Sequence, residues 1–81
     1  MITASQIRAA RGLLAISQTE LAARAGVGMA TVKRLESSTE ELRGNVQTIV
    51  SVRRAFEKAG VVFIDQDDKQ GPGVRLKKPL R

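Results

Sequence analysis

Residues Ser17 to Glu36 read SQTELAARAGVGMATVKRLE, and the punctuation of this stretch decides the fold. Ser17 opens a capping box with Glu20. Its hydroxyl is placed to accept the Glu20 backbone N–H, and the Glu20 carboxylate to reach back to the Ser17 N–H. Ile16 and Leu21 flank the cap at the spacing of a hydrophobic staple. Gly26 follows Ala25 where a helix ends in a left-handed residue, a conformation that glycine adopts without a Cβ penalty. Val27 plugs the turn. Val32 and Leu35, three residues apart, mark the buried face of a second helix. Ala22 is small and lies one turn before Gly26, where two steeply crossing helices need room to approach. The stretch therefore reads as a short helix, a tight glycine turn and a second short helix.

The rest of the chain builds outward from this pair. A first helix begins near Thr3 or Ser5 and runs to about Ala15, with Ile7, Ala10 and Leu14 at helical spacing and Leu13 widening the stripe. Gly12 within it costs about 1 kcal/mol relative to Ala. Ser37 to Gly44 is polar and reads as a loop. Asn45 is a good N-cap for a fourth helix whose stripe is Val46, Ile49, Val52 (or Arg53) and Phe56. Lys58 in its last turn and Gly60 after it signal its end. Residues 61–64, VVFI, suit a strand, residues 65–73, DQDDKQGPG, are turn formers, and residues 73–77, GVRLK, alternate as a half-buried strand does. Together they predict a small β-hairpin with Phe63, Val74 and Leu76 facing the helices. A lone two-stranded ribbon is marginal in water, so the hairpin packs on the helices, pairs across a dimer, or both. KPLR at the end is expected to be loose.

Composition narrows the chemistry. At 81 residues one thin core is expected, which dimerisation would help to stabilise. With no Cys and no His, disulfides, thiolate metal sites, the usual metal ligand and the commonest general base are all missing. There is also no Tyr and no Gly-rich phosphate loop on a strand, so an enzyme is a poor reading and no cofactor is expected. Asp65, Asp67 and Asp68 lack the downstream Glu of a Ca²⁺ loop and read as a solvated turn. RNA binding by stacking is weak too, since Phe56 and Phe63 both sit on apolar stripes. No apolar run approaches the length of a membrane span and no signal-peptide pattern opens the chain, so a soluble cytoplasmic protein is expected. The net charge is +6, unevenly spread. Residues 1–34 hold Arg8, Arg11, Arg24, Lys33 and Arg34 against Glu20 alone, the footprint expected for a polyanion partner.

Helix, glycine turn and helix form the helix-turn-helix unit, whose second helix can enter a DNA major groove. Gln18, Leu21, Ala22, Ala25, Gly26, Val27, Val32, Leu35 and Glu36, with Arg11 upstream, resemble the pattern of phage Cro and repressor proteins and their bacterial relatives, the XRE family. The resemblance covers roughly residues 3 to 60. The bland alternative is an ordinary three-helix core with no nucleic-acid role. The resemblance implies a mainly α fold: a compact four-helix (repressor-like) helix-turn-helix domain with a small C-terminal β-hairpin. Residues 1–60 would be the DNA-binding domain. Residues 61–81, hairpin and basic tail, would belong to the same domain as a possible dimerisation element. Family members similar in this region also end a helix in an AGV-type turn, followed by an F-I strand and a GPGVRL segment. Small residues near Gly12 help helices pack in the family.

The resemblance also distributes roles. Met29, Ala30 and Arg34 occupy base-facing places. Gln18, Thr31 and Lys33 flank the groove or meet phosphates, and Arg43 lies in a loop that approaches the DNA backbone. Arg11 and Glu36 match a structural salt bridge between the first and third helices. Independently, Gln18 stands at a helix N-terminus, where N–H groups and a partial positive charge favour a phosphate. Arg34 suits a bidentate contact to guanine. Met29 and Ala30 depart from the more usual polar residues and can offer only apolar contact to a thymine methyl, which leaves more of the specificity to Arg34 and DNA shape. Gly28 departs from the commoner Ser or Thr cap. The implied function is that of a sequence-specific double-stranded DNA binder, a transcriptional regulator and in the simplest case a repressor. It would act as a homodimer in a bacterial or phage-type cytoplasm, nucleoid-associated. The alternative is a protein-interaction module, such as an antitoxin or phage-type accessory factor, whose hairpin docks a partner.

Overall fold

The computed structural model describes residues 2–38, 42 and 45–80. Helices α1 (Ala4–Leu14), α2 (Gln18–Ala25), α3 (Met29–Ser37) and α4 (Val46–Lys58) precede strands β1 (Val61–Ile64) and β2 (Gly73–Leu76). The helices bury Ile7, Leu21, Val32, Val52 and Phe56 in one core, which Ile2 joins from the N-terminal segment. No helix among the described residues is long and apolar enough to cross a membrane.

Local chemistry explains the helix boundaries. Thr3 caps α1 in a complete box: its hydroxyl accepts the Gln6 N–H at 3.1 Å, and the Gln6 side-chain oxygen accepts the Thr3 N–H at 2.9 Å. Ser17 caps α2 with one arm only. Its hydroxyl accepts the Glu20 N–H at 3.0 Å, while the Glu20 carboxylate turns to Arg24 at 2.6 Å, one helical turn on. The expected box at Ser17 is thus half a box, because the nearby cation competes for the carboxylate. Gly26 ends α2 at φ +69° as glycine permits, whereas α1 ends at Ala15 with φ +55°, a left-handed conformation in which a Cβ is strained. Asn45 caps α4 by accepting the Thr48 N–H at 3.2 Å.

The strands pair antiparallel, Val61 opposite Leu76 and Phe63 opposite Val74. This register places all four side chains on one face, with Val61 and Phe63 buried and Val74 and Leu76 packed against the core. The Phe63 ring lies 5.9 Å from that of Phe56, tilted by 58°. The Arg53 guanidinium stands over the same ring, 5.2 Å from its centre, close enough for a cation–π contact. In the hairpin loop the Asp67 carboxylate accepts the Lys69 and Gln70 N–H groups at 2.8 and 2.7 Å. Those two donors hold its carboxyl below the usual carboxylate range.

Several expected core positions differ. Leu13 is 42 % exposed, because it lies on the shoulder of the Ile7–Ala10–Leu14 stripe rather than within it. Val46 is 59 % exposed; it opens α4, beyond the edge of the core. A Cβ at Gly12 would meet nothing within 4 Å, so close helix packing does not explain that glycine. Ser37 closes α3 instead of opening the loop, and Leu42 within the loop is buried. Its N–H donates to the Ile2 carbonyl at 3.2 Å.

Candidate nucleic-acid interface

Helix α3 has one face pinned and one face bare. Val32 and Leu35 are buried, and Glu36 behind them is only 6 % exposed. A buried carboxylate is tolerated only when paired and hydrogen-bonded, and Glu36 is both. Arg11 Nε donates to Glu36 Oε2 at 2.6 Å and Arg11 Nη2 to Oε1 at 2.9 Å, a bidentate grip from α1. Gln18 Nε2 adds a third donor to Oε1 at 3.2 Å. Arg11 Nη1 also donates to the Ile16 carbonyl at 3.1 Å, and the Arg8 guanidinium to the Glu36 carbonyl. Burial alone would raise the Glu36 pKa. The hydrogen bonds from Arg11 and Gln18, with the charges of Arg11 and Arg8, outweigh it and hold the carboxyl below its usual range. The hydrogen bond to Glu36 raises the Arg11 pKa against an opposing effect of burial. One network therefore ties α1, the start of α2 and the end of α3 together.

The bare face carries Ala30, Lys33 and Arg34, all exposed, with Thr31 half-buried beside them. Lys33 and Arg34 form no ion pair among the described residues. Met29 is half-buried and packs on the core. It lies one turn before Val32 on the same side of α3, so part of it lies against the core and part is open. Gly28 caps α3 in an extended conformation with no side-chain hydrogen bond, and a Cβ there would meet nothing within 4 Å. A Ser would fit, and the first amides of α3 are left without a side-chain cap.

Gln18 stands at the first position of α2, half-buried. With one amide N–H directed at Glu36, its carbonyl oxygen and second N–H remain for another partner. Arg43 lies outside the described residues. Glu36 thus ties the pinned side of α3 to the start of α2, and the opposite side of α3 presents two cations on that support. Such a surface can engage a polyanion. Sequence reasoning passed over Gln6 and counted Arg8 only as part of the basic excess. Thr3-x-x-Gln6 is itself a capping-box pattern, so the local role of Gln6 was legible, whereas the contact from Arg8 to α3 has no local signal.

Residues 7–46 match a family model described as helix-turn-helix. No curated protein matches the chain at a significant level.

Proposed function

Residues 7–46 belong to the Cro/CI-type (XRE) helix-turn-helix family, a DNA-binding domain of the transcription-regulator type, and on that premise we propose that the protein binds a specific double-stranded DNA site through α3. The observation that carries this reading is the asymmetry of α3: Val32, Leu35 and Glu36 fasten one side while Lys33 and Arg34 stand exposed on the other. A recognition helix needs both, because base contacts discriminate only when the helix cannot re-orient. Arg34 reads a guanine edge in the major groove. Ala30 and the open part of Met29 contact thymine methyls. Lys33, Thr31, Arg43 and the free amide hydrogen of Gln18 hold phosphates and fix the register. The protein acts as a homodimer in the cytoplasm, on half-sites about one helical turn apart. It represses by occupying a promoter.

The test is binding to the DNA upstream of its own gene and to a scrambled duplex across a salt series. The regulator reading expects tighter binding to the native duplex and a steep fall with salt. Arg34→Ala shrinks the preference between duplexes by about 1–3 kcal/mol. Lys33→Ala weakens both and lowers the salt slope by about one. Equal weak binding that vanishes at physiological salt removes autoregulation at that site.

A further inference from the structure

Both edges of the two-stranded hairpin carry unpaired main-chain groups, and they differ in exposure. The Lys77 N–H donates to the Gly60 carbonyl at 2.7 Å, one step beyond the Val61–Leu76 pair. Hydrogen-bonded and non-hydrogen-bonded pairs alternate along an antiparallel ladder. Val62–Arg75 and Ile64–Gly73 therefore exchange the ladder bonds, and the main-chain N–H and C=O groups of Val74 and Leu76 point away from β1. None of these four groups has a partner among the described residues. β1 is the shielded strand, with Val61 and Phe63 buried. β2 is half-buried along its length and exposed at Arg75.

The surroundings of this edge are cationic and partly apolar. A groove of about 520 Å³ lies at the end of β2, lined among others by Lys58, Gly60, Leu76, Lys78 and Leu80. Lys77 also borders it, and the one acid in its wall, Glu57, is engaged by Arg53 at 3.3 Å.

An open edge accepts an extended chain, and the charges select which one. A second copy adding antiparallel through the same groups would pair each Val74 with the other copy's Leu76. That register sets Arg75 directly opposite its own counterpart, and like charges so placed are destabilising. Lys77 and Lys78 add to the repulsion. Duplex DNA would satisfy the lysines but neither the four main-chain groups nor Leu76 and Leu80. We propose that the β2 edge docks an extended acidic segment of a partner protein, which adds as a third strand with alternating acidic and apolar residues. Acids two residues apart meet Arg75 and Lys77, which share one side of the sheet. The apolar residues between them continue the layer of Val74 and Leu76. This inference does not rest on DNA binding by α3.

The test titrates the whole chain with a fluorescein-labelled heptapeptide of alternating valine and glutamate, against the same peptide with lysine for glutamate. Fluorescence anisotropy and amide NMR are the readouts. The glutamate peptide binds saturably and the lysine peptide does not, and the Val74 and Leu76 amides shift most and gain protection from exchange. The double variant Arg75→Glu, Lys77→Glu keeps its Val61 and Phe63 amide signals, loses at least about tenfold in affinity, and turns its preference to the lysine peptide. Affinity unchanged in that variant overturns the proposal, as does displacement by a random duplex or shifts confined to α3. Peptide-free protein that dimerises with protection of the same amides assigns the edge to a second copy instead, and also overturns it. A chain that binds the peptide but no operator keeps this inference and loses the DNA reading.

Discussion

Helix α3 and the hairpin each rest a short apolar stripe on the core, Val32 and Leu35 in one case, Val61 and Phe63 in the other. Their polar anchors differ. α3 is fastened by a buried charge pair with an added amide donor. The hairpin is fastened by a neutral side chain: Gln6 Nε2 donates to the Ile64 carbonyl at 3.2 Å and to the Gly73 carbonyl at 2.9 Å, one on each strand. A buried ion pair is weak evidence for net stability, but breaking it leaves an uncompensated charge. A neutral amide is cheaper to lose, since the two carbonyls keep their ladder partners. The comparison teaches that the element proposed to meet DNA is held rigidly but conditionally on charge, while the hairpin is held by apolar packing with one polar clip.

The sharpest way to break this contrast is Arg11→Ala. It strands the Glu36 carboxylate and is expected to lower stability by about 3–5 kcal/mol in urea unfolding. A loss below about 1 kcal/mol, the range of exposed pairs, would mean that the pair does not pin α3. The same network sets an acid limb. Glu36 has a folded pKa below its unfolded value of about 4.3. Its stabilisation is therefore present above that pH and is lost as pH falls through the folded value. Urea midpoints measured between pH 6 and pH 3 should fall more steeply in the natural protein than in Glu36→Gln.

Gln6→Ala should cost less, about 1–3 kcal/mol, from the lost clip and the lost half of the Thr3 box. Its amide shifts should concentrate at Ile64 and Gly73 and spare α3. Spread of those shifts to Arg34 would show that the two regions are coupled. Ser17→Ala, which removes a single cap donor pair, is expected to cost about 1 kcal/mol. A larger cost would show that the start of α2 depends on the cap more than on Leu21 and Gln18.

Much of the helical part was legible because its signals are local. Thr3, Ser17 and Asn45 as caps, Gly26 as the turn, and Val32 with Leu35 as an inner stripe all act within a turn or two of chain. The bare cations Lys33 and Arg34 followed from the same periodicity. Met29, placed toward the bases by the resemblance, opens a helix of nine residues and shares its side chain between the open side and the core. Leu13 and Val46 were misjudged because periodicity gives direction, not the extent of the core facing it. Leu42 does lie in the loop, but its burial was not legible because it goes with a main-chain contact to Ile2, far away in sequence.

The sequence by itself determined where helices start and stop, which faces are apolar, that two glycine-punctuated helices follow one another, and that a basic surface goes with them. These are properties of backbone propensity and spacing, settled between near neighbours. Only the tertiary structure decided that Gln6 clips two strands lying 58 and 67 residues away, that Glu36 gathers Arg11 and Gln18, and that β2 keeps an unpaired edge beside a cationic groove. Each of these depends on which distant groups share a small volume, and a polar side chain's choice among partners is made by burial, where leaving a donor or a charge unsatisfied costs most.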